Sequence, residues 1–93
     1  MPKLPSQDLP RAGAREVLAA NLVLMRRQRG WSQEDLAGEA GLHRTFVAHV
    51  ERRSRNISLD NLEKLADALG VRVHRLLTPR TPAEGDQAVT GTR

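Results

Sequence analysis

The positions of the prolines limit what this chain can fold into. All five lie outside residues 11–78, at Pro2, Pro5, Pro10, Pro79 and Pro82. Proline removes a backbone donor and breaks helix interiors, so one long stretch of the chain stays open to helix formation. Apolar residues recur there at the spacing of helices, without the alternation typical of strands. The sequence therefore predicts a small all-α domain.

The two ends of the chain differ in composition from its middle. Residues 1–13 and 79–93 are rich in proline, glycine, threonine and charge. We expect flexible arms there, because such segments bury little apolar surface. The domain itself is predicted at residues 14–78. A core of this size is only marginally stable alone, which favours association with a second copy.

Glycine and serine mark the ends of the predicted helices. Ser32 is of the N-cap residue type, and Asp35 three residues later completes a capping-box pattern. Gly41 ends the same helix, because glycine readily takes the positive φ found at helix C-termini. From such signals we predict five helices, at about residues 14–28, 33–40, 43–53, 59–69 and 73–77.

Apolar stripes on these helices indicate the core. Trp31 and Leu36 stand at the spacing of a hydrophobic staple, so the tryptophan is predicted to pack into the protein. The other predicted core residues repeat at helical spacing: Leu18, Leu22, Met25, Ala37, Ala40, Val47, Val50, Leu59, Leu62, Leu65, Ala66, Leu69, Val73, Leu76 and Leu77.

The stretch HRTFVAHVERR, residues 43–53, has two unlike faces as a helix. At about 100° per residue, the apolar face carries Phe46, Val47 and Val50. The opposite face carries two arginines, two further polar residues and one small residue: Arg44, Thr45, Ala48, His49 and Arg52. The first face is predicted to pack into the domain, which leaves the second face for a ligand or for solvent.

Basic charge is concentrated around that helix. The net charge of the chain is +4, and residues 26–55 carry seven arginines against four carboxylates. A charge run alone is often a solvated surface. Beside a helix with one polar face, it also favours an anionic partner such as nucleic acid.

The second and third helices satisfy the requirements of a helix-turn-helix. Ala37 is small where two helices must cross closely, and Gly41 supplies the turn between them. Leu42, Val47 and Val50 provide the inner plug. Ser32 and Gln33 begin the second helix, where backbone N–H groups and polar side chains suit a phosphate oxygen.

The segment WSQEDLAGEAGLHRTFVAHVERRSRNISLDNLEKLADALGV resembles the DNA-binding domain of lambda-type phage repressors and their bacterial relatives, the xenobiotic-response-element group. Within that group it is similar to small stand-alone regulators, including the controller proteins of restriction–modification systems. The resemblance runs from about Arg26 to Leu77. It implies a compact five-helix fold with the third helix in the major groove of DNA.

The resemblance also implies roles for individual residues. Arg26 and Glu51 correspond to a structural ion pair. Arg53 stands where many relatives have glycine, so either it takes an unusual backbone conformation or the helix ends differently. Phe46 either contacts a base or lies partly buried over the second helix. The implied base-reading residues are Arg44, Thr45, Phe46, Ala48 and His49, and the implied phosphate-binding residues are Ser32, Gln33, Arg52, Arg53, Arg55 and Asn56.

These residues predict a sequence-specific regulator that binds double-stranded DNA as a homodimer on a palindromic operator, with autoregulation as a further expectation. Val17 and Leu24, off the main stripe of the first helix, either lie at the edge of the core or form a dimer patch, and Leu76 with Leu77 is the other candidate patch. The alternative function is an antitoxin or adaptor module that uses the same fold to bind a partner protein. The polar tail TPRTPAEGDQAVTGTR disfavours it, since an apolar tail would be needed to wrap a partner.

Several other classes of function are not expected. The chain has no cysteine, hence no disulfide or thiolate metal site, and its histidines and carboxylates lack metal-ligand spacing. No nucleophile–base pair or phosphate-cradling glycine loop is present, so we predict no enzyme activity, cofactor or small-molecule ligand. The apolar run VLAANLVLM is short and interrupted by Asn21. We therefore expect a cytoplasmic protein without membrane segment or signal peptide.

Overall fold

The computed structural model describes residues 13–53 and 56–80. In these residues it contains five α-helices and no strand: α1 Ala14–Gln28, α2 Gln33–Ala40, α3 Arg44–Glu51, α4 Leu59–Leu69 and α5 Val73–Leu76. The predicted all-α fold is confirmed. The third and fifth helices are shorter than predicted, because Arg52 and Leu77 are C-cap residues. The predicted flexible arms fall mostly on residues outside the described ranges.

Local signals define the start and end of α2. The Asp35 backbone N–H donates to Ser32 Oγ at 3.0 Å, and the Ser32 N–H donates to Asp35 Oδ2 at 2.9 Å. This is the predicted capping box, which satisfies two donors that the first helical turn leaves without partners. The helix ends at Gly41 with φ 71°, a conformation that costs most other residues about 1–2 kcal/mol. The chain can therefore turn sharply from α2 into α3.

The core lies where the five helices meet. α3 packs against α1 and α2, α2 also contacts α4, and α5 packs on α1 and α4. Trp31 is partly buried against this core, as its staple spacing predicted. The buried cluster comprises Leu18, Leu22, Met25, Leu36, Ala37, Ala40, Val47, Val50, Leu62, Leu65, Ala66, Leu69 and Leu76.

Two apolar residues that were predicted in the core, Leu59 and Leu77, are exposed. Leu59 is 75% exposed, so its prediction as a core residue is wrong. Apolar periodicity predicts which side of a helix faces the core. It does not predict whether another helix covers that side at the end of the helix, where Leu59 lies. Leu76 is fully buried and so cannot contribute to the dimer patch predicted for Leu76 with Leu77, whereas Leu77 is 39% exposed. Val17 is buried and Leu24 half-buried, at the edge of the core.

One buried polar side chain links the two ends of the fold. The Asn21 amide nitrogen donates to the carbonyl oxygens of Leu76 at 2.8 Å and Thr78 at 3.0 Å, with Arg75 O farther away at 3.4 Å. These carbonyls stand at the end of α5, where a helix has no partners of its own for them. Asn21 thereby connects α1 to the last helix.

Candidate nucleic-acid interface

The α3 helix is divided between the core and the surface as its pattern predicted. Val47 is fully buried and Val50 is buried beside it, whereas Arg44 and Thr45 are exposed and His49 is half-buried. The N-terminal turn of α3 therefore presents polar side chains outward. A helix held in this way can enter the major groove, whose width accommodates one helix.

Two residues of α3 differ from a simple division into faces. Phe46 is partly buried against the core cluster, which corresponds to the second of its two predicted alternatives. Ala48 is only 8% exposed although it is not part of the core cluster, so it has little accessible surface on the predicted open face.

An ion pair holds the C-terminal end of α3 to α1. Arg26 Nε donates to Glu51 Oε2 at 2.7 Å, and Arg26 Nη2 donates to Oε1 at 3.1 Å. The side chains are 10% and 5% exposed. Arg26 Nη1 also donates to the Trp31 carbonyl at 2.8 Å. The structure thus contains the pair that the resemblance implied, in a buried bidentate geometry that sets the angle of α3.

The predicted phosphate contacts at the start of α2 have partners inside the protein. Gln33 Nε2 donates to Glu51 Oε1 at 2.8 Å, and Ser32 Oγ accepts from Asp35 in the capping box. Each side chain has one further hydrogen, on the amide nitrogen and on the hydroxyl, that can be donated to a phosphate. The bond from Gln33 also ties the start of α2 to the end of α3.

The residues that follow α3 form the other flank of the candidate interface. Arg52 and Arg53 are exposed, and Arg53 has φ 62°. Of the two alternatives for this position, the backbone takes the unusual conformation. Arg53 Nη1 lies 3.6 Å from Glu16 Oε2, with both side chains more than half exposed, so this pair contributes little stability. The predicted phosphate contact at Arg55 lies outside the described residues.

Asn56, the last of the predicted phosphate contacts, is exposed and hydrogen-bonded to α1. Its Oδ1 accepts a hydrogen bond from Arg15 Nη2, across 41 residues of sequence. Arg15 was not among the predicted site residues, because nothing in the local sequence around it indicates a contact with the segment after α3. Only the three-dimensional packing of α1 against α3 brings the two residues together.

A further arginine was also missed, on the structural side of the interface. Arg29 Nη2 donates to the Leu69 carbonyl at 2.8 Å, and its guanidinium carbon lies 5.0 Å from the centre of the Trp31 ring. Arg29 therefore satisfies a carbonyl at the end of α4 and covers the tryptophan. Its charge belongs to the basic run in the sequence, but its position gives it a structural role.

No group of three or more histidine, aspartate or glutamate side chains within residues 13–53 and 56–80 can hold a metal ion. None of the helices in this part of the chain has the length and apolar character needed to span a bilayer.

The helix-turn-helix family model matches residues 22–76, which is more than half of the chain. The chain therefore belongs to the helix-turn-helix family. The match spans all of the elements described above except the first turns of α1. The chain is a transcriptional regulator of the helix-turn-helix family and not an enzyme, as its relatives also indicate.

The chain is similar to a transcription factor and to a restriction–modification control protein. A hypothetical transcription factor from Neisseria superposes with a TM-score of 0.72 at 51% sequence identity, over 83% of this chain and 84% of that one. Control protein C.SmaI of Serratia marcescens is 43% identical over 75 residues, which cover 81% of this chain and 89% of that protein. The predicted resemblance to regulators and controller proteins is confirmed.

One related structure contains DNA. The restriction–modification controller protein C.Esp1396I, solved as a tetramer in complex with its natural 35 base-pair operator, has a TM-score of 0.64 and 29% identity. The similarity covers 71% of this chain and 87% of that chain. The relative C.Esp1396I, whose fold is similar to that of this chain, therefore binds operator DNA.

Proposed function

We propose that the chain binds a specific double-stranded DNA site as a homodimer and regulates transcription from it. The observation that carries the proposal is the division of α3, with Val47 and Val50 in the core and Arg44 and Thr45 exposed at its N-terminal turn. The N-terminal residues of a recognition helix are those that contact base edges. The operator complex of the relative C.Esp1396I supports the same use of the fold.

Arg44 is the principal base-reading residue of the proposal. Its exposed guanidinium can donate two hydrogen bonds to guanine O6 and N7, the commonest specific contact in the major groove. Thr45 and His49 read neighbouring positions, and Phe46, which is partly buried against the core cluster, is not assigned a base contact. The buried methyl group of Ala48 leaves it with little surface for a thymine methyl.

Phosphate contacts flank the reading helix on both sides. On one side lie Ser32 and Gln33 at the start of α2, and on the other Arg52, Arg53 and Asn56. Arg55, which lies outside the described residues, is assigned the same role from the sequence. Such contacts orient the protein on the duplex without reading its sequence. They make binding dependent on salt, because each neutralised phosphate releases counterions.

The homodimer follows from the small number of base contacts that one domain can make. Two copies that bind half-sites about 34 Å apart double those contacts and need a two-fold symmetric operator. Control through protein concentration, with the operator near the protein's own gene, is part of the same proposal. An added metabolite that strongly changed binding would contradict it.

The proposal makes a quantitative prediction for Arg44. Arg44→Ala removes the bidentate contact and is expected to weaken operator binding by about 1–3 kcal/mol. The measurement is a gel-shift titration of the operator with the wild type and the variant. Arg72→Ala is the matched control. Arg72 is an exposed arginine at the start of α5, so this substitution removes the same charge as Arg44→Ala.

Two results would count against this assignment. If the affinity of Arg44→Ala for the operator stays within twofold of the wild-type affinity, Arg44 on α3 does not read a base. Purification with one toxin-like protein, together with failure to bind any DNA duplex at low salt, favours the antitoxin or adaptor function instead.

A further inference from the structure

The first turn of α1 contacts the segment that follows the reading helix at two points. Arg15 Nη2 donates to Asn56 Oδ1, and Glu16 Oε2 lies 3.6 Å from Arg53 Nη1. All four residues are exposed. Exposed contacts of this kind add little to stability, so stability alone gives no reason for this arrangement.

The bond to Arg15 determines which way the Asn56 amide faces. An asparagine side chain has one acceptor oxygen and one nitrogen with two hydrogens. Since the oxygen accepts from Arg15, the nitrogen is directed to the other side with both of its hydrogens. The guanidinium has five N–H groups, most of which remain for another acceptor. Together the two side chains present hydrogen-bond donors and one positive charge.

The carboxylate of Glu16, next to Arg15 in the sequence, faces donors of the protein with both of its oxygens. Glu16 Oε1 accepts from the Gly13 backbone N–H at 3.0 Å, while Oε2 faces Arg53. A free carboxylate next to Arg15 would repel an anion. Both carboxylate oxygens therefore face groups of the protein, and the three side chains Arg15, Glu16 and Arg53 together carry one net positive charge.

We propose that Arg15 and Asn56 bind one DNA phosphate jointly, as a contact supplied by α1 from outside the helix-turn-helix. The inference rests on the proposed function. A phosphate oxygen fits the site because it is an anionic acceptor that an arginine and an amide can share. The position of Asn56 after α3 places this contact on the flank of the interface.

The test measures the affinity and its salt dependence on two DNA probes. One is the operator obtained by selection from a random DNA library, and the other is a mixed-sequence duplex. Arg15→Ala is expected to weaken binding to both by a similar factor, on the order of three- to tenfold, because a phosphate contact carries no sequence information. The slope of log K against log salt should fall in magnitude by about 0.9, the value for one phosphate. Arg72→Ala again serves as the control and should leave both quantities unchanged.

A double variant tests whether the two side chains act together. Asn56→Ala alone should weaken binding, and Arg15→Ala with Asn56→Ala should be little weaker than Arg15→Ala, because residues that share one ligand are not additive. Arg15→Gln keeps a long helix-forming side chain without the charge and should reproduce the change in slope. Unchanged melting of each variant by circular dichroism shows that the fold is intact.

The outcomes separate this inference from the proposed function. If the wild type binds neither probe at low salt, the proposed function fails. If it binds, but Arg15→Ala and Arg15→Gln retain the wild-type slope and affinity, only the phosphate contact is wrong. Fully additive losses in the double variant would show that the two residues do not share a phosphate.

Discussion

Glu51→Ala is expected to lower the free energy of unfolding by about 3–5 kcal/mol, the usual cost of removing one partner of a buried ion pair. Glu51 accepts hydrogen bonds from Arg26 and Gln33 and is 5% exposed in its side chain. Without it, the Arg26 guanidinium remains buried with its charge uncompensated. A loss of this size is a large part of the stability of a small domain, about 5–15 kcal/mol.

Urea denaturation followed by far-ultraviolet circular dichroism measures this effect. Glu63→Ala is the matched control, because it removes an exposed carboxylate from α4 and should change stability by less than about 0.5 kcal/mol. The double variant Arg26→Met with Glu51→Leu removes both charges and should recover most of the loss. A loss below about 1 kcal/mol for Glu51→Ala would show that the pair does not hold α3 in place.

Asn21→Leu is expected to cost about 2–4 kcal/mol, because two carbonyls at the end of α5 lose their donor and each unsatisfied buried group costs about 1–3 kcal/mol. Leucine cannot donate a hydrogen bond, and its side chain has the same number of non-hydrogen atoms with the same branching. Asn21→Asp should be at least as destabilising, since it places a carboxylate against carbonyl oxygens. Native-state hydrogen exchange should show the largest loss of protection in α5 and in the part of α1 that it covers.

The control for Asn21 is on the same helix. Gln28→Glu makes the corresponding change from amide to carboxylate at an exposed position at the end of α1. It should alter stability by less than about 0.5 kcal/mol. If Asn21→Asp were no more destabilising than Gln28→Glu, the hydrogen bonds to α5 would not be important for the fold.

Features that depend on neighbouring residues in the sequence were predictable. The capping box at Ser32 and Asp35, the left-handed Gly41 and the buried side of α3 are all local consequences of residue type and spacing. Helix capping and amphipathic periodicity act within one or two turns. The position of the helix-turn-helix is therefore predictable from the sequence.

Features that depend on distant packing were not predictable in this way. The exposure of Leu59 and the burial of Ala48 depend on where other helices end. The bond from Gln33 to Glu51 joins residues 18 apart, and the bond from Arg15 to Asn56 joins residues 41 apart. Asn21 did give a signal, as a polar residue within an apolar run, but the sequence does not identify its partners on α5.

The most direct measurement is selection of bound duplexes from a random DNA library, performed in parallel with the wild type and with Arg44→Ala. The wild type is predicted to enrich a two-fold symmetric sequence with a preferred guanine in each half. Arg44→Ala should lose that preference at one base pair of each half-site and keep the others. Enrichment of no sequence by the wild type, or of an identical sequence by the variant, would contradict DNA reading by the exposed turn of α3.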